Sequence, residues 1–145
     1  MLLDFARLTL PRWPNHCLAT PAQWSGPAGQ VATRIYPVSL DKLREALVAV
    51  AAAEPRTNLL RLDKEALQAE FEQRSKLFGF RDLITVAFIA QGESSATLAL
   101  YSRSRLGLFD LGANRKRVAR WLAALDERVG GAGESDSGGG SPSGA

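Results

Sequence analysis

The sequence predicts an α+β domain: a mainly antiparallel sheet of about five strands with two main helices on one face. Three observations carry this. Two stretches, around residues 39–54 and 113–129, repeat their apolar residues with the period of a helix. The strand-like segments between them follow one another through short turns, an order that favours antiparallel pairing with the helices segregated to one side. At 145 residues, 46% apolar and 23% charged, the chain has the length of one domain and enough apolar material to bury a core.

The elements follow in order. Residues 1–30 are rich in turn-formers (Pro11, Pro14, Asn15, Pro21, Gly26, Pro27, Gly29) and read as an extended lead-in, with Trp13 and Trp24 to anchor it. Residues 31–38 are β-rich, and Pro37, which cannot donate to a ladder, marks an edge strand or a strand end. Ser39 is placed to cap a helix with Asp41 in its first turn and Leu43, Leu47 and Val50 on one face, and Pro55 stops it. Four strands follow. Residues 57–62 are short and apolar, and residues 69–76 alternate, putting Glu70, Glu72, Arg74 and Lys76 on a solvated face. Residues 83–90 are apolar on both faces, as in a central strand, and residues 95–106 alternate again after the turn Gln91-Gly92-Glu93. The last helix buries Val118, Leu122, Leu125 and Val129, with Trp121 beside them. The folded domain therefore runs over residues 31–129, and residues 130–145, Gly/Ser-rich without large apolar side chains, form a disordered tail.

Composition excludes several classes. Cys17 is the only cysteine, so no intrachain disulfide and no cysteine-based zinc site can form. His16, the only histidine, points away from Cys17 on an extended chain, which leaves a loop residue and a small buried thiol rather than a catalytic pair. No cofactor or metal is expected. No run approaches the roughly 18 apolar residues of a membrane span, and no secretory leader is visible, so the expectation is a soluble cytoplasmic protein. The nucleophile elbow, the zinc-protease helix, the phosphate loop and the dinucleotide fingerprint are all absent. Glu70 and Glu72 share a strand face, which a solvated surface explains better than a pair of working carboxylates.

The stretch that hints at a site is residues 102–117. From Tyr101 to Arg120, six cations (Arg103, Arg105, Arg115, Lys116, Arg117, Arg120) face one acid, Asp110, a local excess of +5 in a chain of net charge +3. Such a field favours anionic partners. On a strand, Arg103 and Arg105 project to one face, while Ser102 and Ser104 continue the row of Leu98 and Leu100 on the other. The chain then turns toward the last helix, whose first free N–H groups, with the two arginines, would suit a phosphate, sulfate or carboxylate. The structural alternative is a closed lattice in which Asp110 caps the helix, Asn114 binds the turn, and Arg103 or Arg105 pairs with Asp82.

The pattern Ser-x-Ser-Arg-x-Gly-x-x-Asp-x-Gly-x-Asn-x-x-Arg, carried here from Ser102 to Arg117, resembles the signature of domain-of-unknown-function family 1499. Phe80-Arg81-Asp82 is similar to that family's Phe-x-Asp before a central strand. Pro14-Asn15 corresponds to its Pro-Asn-Cys start, with His16 inserted before Cys17. The resemblance spans about residues 14–125. It implies no reaction, since none is established for the family; many relatives look exported or membrane-anchored.

Two function classes compete. The first is a non-catalytic binding or accessory domain, engaging an anionic small molecule or a protein partner through Asp82, Arg103, Arg105, Asp110, Asn114 and Arg117. The second is an enzyme acting on a phosphorylated or carboxylated small molecule, with Asp82 or Asp110 as base and the arginines stabilising charge. Nucleic-acid binding has only the run Arg115 to Arg117 in its favour, without an aromatic platform, and is disfavoured.

Overall fold

A computed structural model of the chain describes residues 2–12, 15–76, 79–105 and 110–130. Trp13, Pro14 and the Gly/Ser-rich tail from residue 131 onward lie outside them. The elements are β1 (His16–Pro21), β2 (Val31–Thr33), α1 (Leu40–Ala53), β3 (Thr57–Asp63), β4 (Gln68–Arg74), β5 (Arg81–Ala90), β6 (Ala96–Ser104) and α2 (Ala113–Leu125), which ends in a wider turn, Asp126–Gly130.

The expectation of an α+β fold holds, with a sheet of six strands rather than five and mixed rather than purely antiparallel. Its order is β2-β1-β6-β5-β4-β3. Only β1 and β2 run parallel; β1–β6, β6–β5, β5–β4 and β4–β3 are antiparallel. The extra strand, β1, sits inside the stretch read as a loop-like lead-in. Its apolar residues do not alternate because both of its faces are covered: Cys17 and Ala19 face the helices, and Leu18 faces Phe5 on the other side. Its proline, Pro21, stands at the strand end, where a missing donor costs least. The segment 31–38 is correspondingly shorter as a strand: after Thr33 only Tyr36 pairs again, with Ala96.

Consecutive strands β2 and β3 occupy opposite edges of the sheet, and α1 carries the chain between them. Fourteen helical residues span about 21 Å, close to the roughly 24 Å across six strands. Ser39 caps α1, its Oγ accepting from the Lys42 N–H at 3.3 Å, and Leu43, Leu47 and Val50 are buried as the period requires. Both helices pack on one face, where Trp121 meets Phe71 edge-on with ring centroids 5.5 Å apart.

The buried face of α2 is rotated from the expected stripe. Asn114, Arg117, Val118, Trp121 and Leu125 are buried, and Leu122 is only partly so. Two of the residues that set this phase are polar, so hydrophobic periodicity could not register them. The opposite sheet face is closed in part by the N-terminal segment: Phe5 packs on Leu18, Ala99 and Tyr101, with Trp24 against Phe5. Leu3 is tied to Gln68 by a reciprocal pair of hydrogen bonds at 3.2 and 2.6 Å.

Candidate functional site

The polar residues of the 102–117 stretch divide between two sheet faces. On the helix face lies a closed lattice. Arg117 is buried, and its guanidinium donates to Asp82 at 2.9 Å, to Ser102 Oγ at 3.0 Å, to Asn114 Oδ1 at 2.8 Å and to Gln73 Oε1. Ser102 in turn donates to Asn114 Oδ1 at 2.6 Å. The Asn114 amide nitrogen donates to the Asn15 carbonyl at 3.0 Å, to Ser104 Oγ at 2.8 Å and to Asp110 Oδ2 at 2.8 Å. Asp110 starts α2, accepting from the Gly112 N–H at 2.8 Å and the Asn114 N–H at 3.1 Å. Gly112, at φ 79°, takes the left-handed conformation that this turn demands and that a Cβ would strain.

Burial lowers the Arg117 pKa and the adjacent Asp82 charge opposes that shift, but a guanidinium stays charged throughout. The lattice docks the start of α2 onto β4, β5 and β6 and ties in the chain just before β1.

Four of the six residues singled out in the sequence thus meet: Asp82, Asp110, Asn114 and Arg117. Arg103 and Arg105 do not join them, and the cation paired with Asp82 is Arg117 rather than either of these. Arg103 lies on the opposite face. It donates to Thr85 Oγ1 at 3.1 Å and to the Tyr101 carbonyl at 3.3 Å, stands 4.7 Å from the Tyr101 ring centroid and approaches Glu70 at 4.0 Å. Burial lowers its pKa, against the pull of Tyr101 and Glu70. Glu70 and Glu72 are less solvated than their alternation suggests, because Arg61 lies 3.6 Å from Glu70, and Arg74 and Arg81 lie 3.8 and 3.6 Å from Glu72.

Arg105 stands apart. It is exposed, and among the described residues its guanidinium makes no ion pair. Its backbone N–H donates to the Arg81 carbonyl at 3.3 Å, extending the Asp82–Ser104 register by one residue, so that Arg105 lies opposite Arg81. Arg81 in turn pairs with Arg74 on β4. Three arginines thus sit side by side on neighbouring strands, about 5 Å apart in each step. Like charges directly opposite one another destabilise a sheet, and among the described residues Glu72 is the one acid that bridges two of them. Beside this row a surface cleft of about 400 Å³ is lined by Gly79, Phe80, Arg81 and Arg105. Phe80 is held by a backbone clamp: its N–H donates to Ser75 Oγ at 2.9 Å and its carbonyl accepts from the Ser75 N–H at 2.8 Å.

Read from the sequence, Gln73, Arg74, Arg81 and Phe80 carry no site role, although Phe80-Arg81-Asp82 belongs to a motif noted there. The signal for the arginine row lay in strand register, which aligns Arg74, Arg81 and Arg105 only once the hairpins are paired. No group of three or more His, Cys, Asp or Glu side chains among the described residues is arranged to hold a metal ion. No helix among them is long and apolar enough to cross a membrane.

No curated protein sequence matches the chain. Among solved structures, the chain is similar in fold to the di-domain ARO/CYC BexL from the BE-7585A biosynthetic pathway, with a TM-score of 0.50 and 18% identity. That match covers 67% of this chain but only 44% of the di-domain protein, so the chain spans less than half its length. TTHA0849 from Thermus thermophilus is matched at a TM-score of 0.37 and 13% identity, over 70% of this chain and 96% of that one. The lattice unites all three motif fragments noted in the sequence: the Asn15 carbonyl, Asp82, and the run from Ser102 to Arg117. In keeping with this, the family described as "Protein of unknown function (DUF1499)" matches residues 9–125, and the chain belongs to that family.

Proposed function

We propose that the chain is a non-catalytic binding domain that takes an anionic ligand at the sheet end formed by Arg74, Arg81 and Arg105. The observation that carries this reading is the arginine row itself. Three guanidinium charges against the single carboxylate of Glu72 leave a local charge of +2, at a cleft wide enough for a small molecule. An incoming anion would relieve the repulsion between neighbouring arginines that the empty protein tolerates. The carboxylates an enzyme would need as bases support the same reading from the other side, since Asp82 is bound to Arg117 and Asp110 is spent on the start of α2.

Thermal unfolding in millimolar inorganic phosphate or sulfate tests the proposal. A ligand that binds only the folded state raises stability by about 2.7 kcal/mol at a hundredfold excess over its dissociation constant. The parent protein should respond and Arg105→Gln should not, while its own stability stays within about 0.5 kcal/mol of the parent. An equal response in both proteins, or none in either, would refute the assignment.

A further inference from the structure

We infer that a second copy of this chain covers the outer edge of β3 and the outer face of α1, its own β3 pairing antiparallel with this one about a two-fold axis normal to the sheet. The two open edges of the sheet are not alike. β2 is three residues long, and so short an edge offers little to pair with. β3 runs for seven, and among the described residues no further strand pairs with it. Leu59 and Leu60 on it are 47% and 49% exposed, and a bulge leaves Leu60 without a partner on β4. The helix beside this edge carries the same signal. Residues 46–53 of α1 read Ala-Leu-Val-Ala-Val-Ala-Ala-Ala, with no polar side chain on any face. Of these, Leu47, Val50 and Ala51 are buried, whereas Ala52 and Ala53 are exposed and Val48 and Ala49 half-buried. A helix that is apolar all round belongs where it is covered all round, and small residues on the outer face let a second helix come close. Val48, Ala49, Ala52 and Leu62 line a groove of about 320 Å³ between α1 and β3, with Glu45 and Lys64 among its charged walls. An apolar centre with a charged surround is the anatomy of a protein interface.

Charge complementarity makes the occupant a second copy. Leu59 and Leu62 stand opposite Phe71 and Ala69 of the helix-side core, so Arg61 and Asp63 belong to the other face of the sheet. In an antiparallel pair, residues that stand opposite one another project to the same side. The two-fold axis must therefore fall on a residue rather than between two. Placed on Arg61 or Asp63, it sets like charges against each other. Placed on Leu62, it sets Arg61 against Asp63 of the second copy, and Asp63 against the second copy's Arg61, two opposite-charge pairs from one short run. Arg61 already approaches Glu70 at 3.6 Å, so in the pair it lies between two carboxylates. Both sets of helices then stand on one side of a continuous sheet, and the apolar outer faces of α1 turn toward each other across the axis. The long edge disappears, and the isologous contact closes at two copies.

Sedimentation equilibrium of the full chain between about 1 and 200 μM tests this. The parent should pass from the monomer mass to twice that mass and no further. Leu60→Lys and Ala52→Glu, both at exposed positions, should each weaken dimerisation at least about tenfold, with the urea midpoint unchanged at the lowest concentration. Leu62→Cys, its Cα about 5 Å from its counterpart on the axis, should form an intermolecular disulfide on mild oxidation. Glu65→Cys, about 20 Å from its own counterpart, should not, and neither should the parent, whose Cys17 is buried. A parent that stays monomeric at the highest concentration overturns the inference, whatever other protein the surface takes. So does a dimer indifferent to both substitutions, a mass that climbs past two copies, or a Leu62→Cys chain that will not cross-link. Arg81 and Arg105 take no part in this contact, so its failure leaves the anion reading standing.

Discussion

Replacing Arg117 with leucine should be among the most damaging single changes in this protein, and the lattice allows its cost to be apportioned. Arg117 donates to four groups. Two of them keep a partner without it, because Ser102 still donates to Asn114 and Asn114 still holds Asn15, Ser104 and Asp110. The loss falls on the other two. Gln73 keeps its amide donations to Glu54 and the Pro55 carbonyl, but its Oε1 loses its donor. Asp82, whose side chain is 10% exposed, loses its cation. Stranding a buried carboxylate costs about 3–5 kcal/mol, and an unsatisfied buried amide oxygen about 1–3. Partial rehydration of the gap offsets some of this, so the expected net loss is about 4 kcal/mol. That is a large part of the roughly 5–15 kcal/mol that holds a domain of this size.

Urea denaturation measures it: the midpoint should fall with the slope unchanged, and the melting temperature should drop by roughly 10–20 °C. The double variant Arg117→Leu with Asp82→Leu should recover part of the loss, because it removes the stranded charge along with its partner. A loss below about 1.5 kcal/mol for Arg117→Leu, or a double variant that is the sum of its singles, would show that water already reaches Asp82 and that the lattice is not closed.

Two further outcomes follow from the same packing. Trp121→Ala should cost about 3–5 kcal/mol and Leu122→Ala clearly less, since Trp121 is fully buried against Phe71 and Leu122 only partly covered; equal losses in urea melts would mean that the α2 phase is wrong. Burial alone would raise the Glu54 pKa, but the Arg120 and Gln73 hydrogen bonds and the Arg120 charge outweigh it and hold it below the usual value. Its contribution is therefore complete above the unfolded pKa of about 4.3 and is lost as pH falls through the lower folded value. Glu54→Gln should be less stable than the parent at pH 7, with the gap closing on acidification; a gap that widens below about pH 4 would contradict this.

Much of the fold was legible because most segments obey a single period. α1 shows its cap, its stripe and its stop in consecutive residues, and β4, β5 and β6 alternate or run apolar as their neighbours require. β1 was hidden for a physical reason. A short strand covered on both faces, bracketed by Pro14, Asn15 and Pro21, has neither alternation nor length to distinguish it from a loop. The α2 phase was missed because Asn114 and Arg117 are buried polar residues, and a hydrophobic pattern counts them as surface. The arginine row was missed because it is a property of register, which pairs residues 74, 81 and 105 from three separate strands.

The division between lattice and site, by contrast, was already contained in strand parity. Asp82 shares its phase along β5 with Ile84 and Val86, and Ser102 and Ser104 share theirs along β6 with Leu98 and Leu100. All of these belong to the face under the helices. Arg103 and Arg105 have the opposite parity, so neither can reach Asp82 while both strands stay regular. The cation for Asp82 had to come from a helix packed on that face, and Arg117 lies one turn below Asn114 on the helix that follows. A dense polar signature at a strand end therefore has two readings, and parity separates them. Residues in phase with the core satisfy one another, as Asp82, Ser102, Asn114 and Arg117 do. Residues out of phase face the other side of the sheet, where Ala99 and Tyr101 are covered by Phe5, Arg103 contacts Thr85 and Glu70, and Arg105 is exposed. On that argument Ser102, Ser104, Asp110, Asn114 and Arg117 of the signature dock α2, and the proposed anion site, with Arg105, lies across the sheet from them.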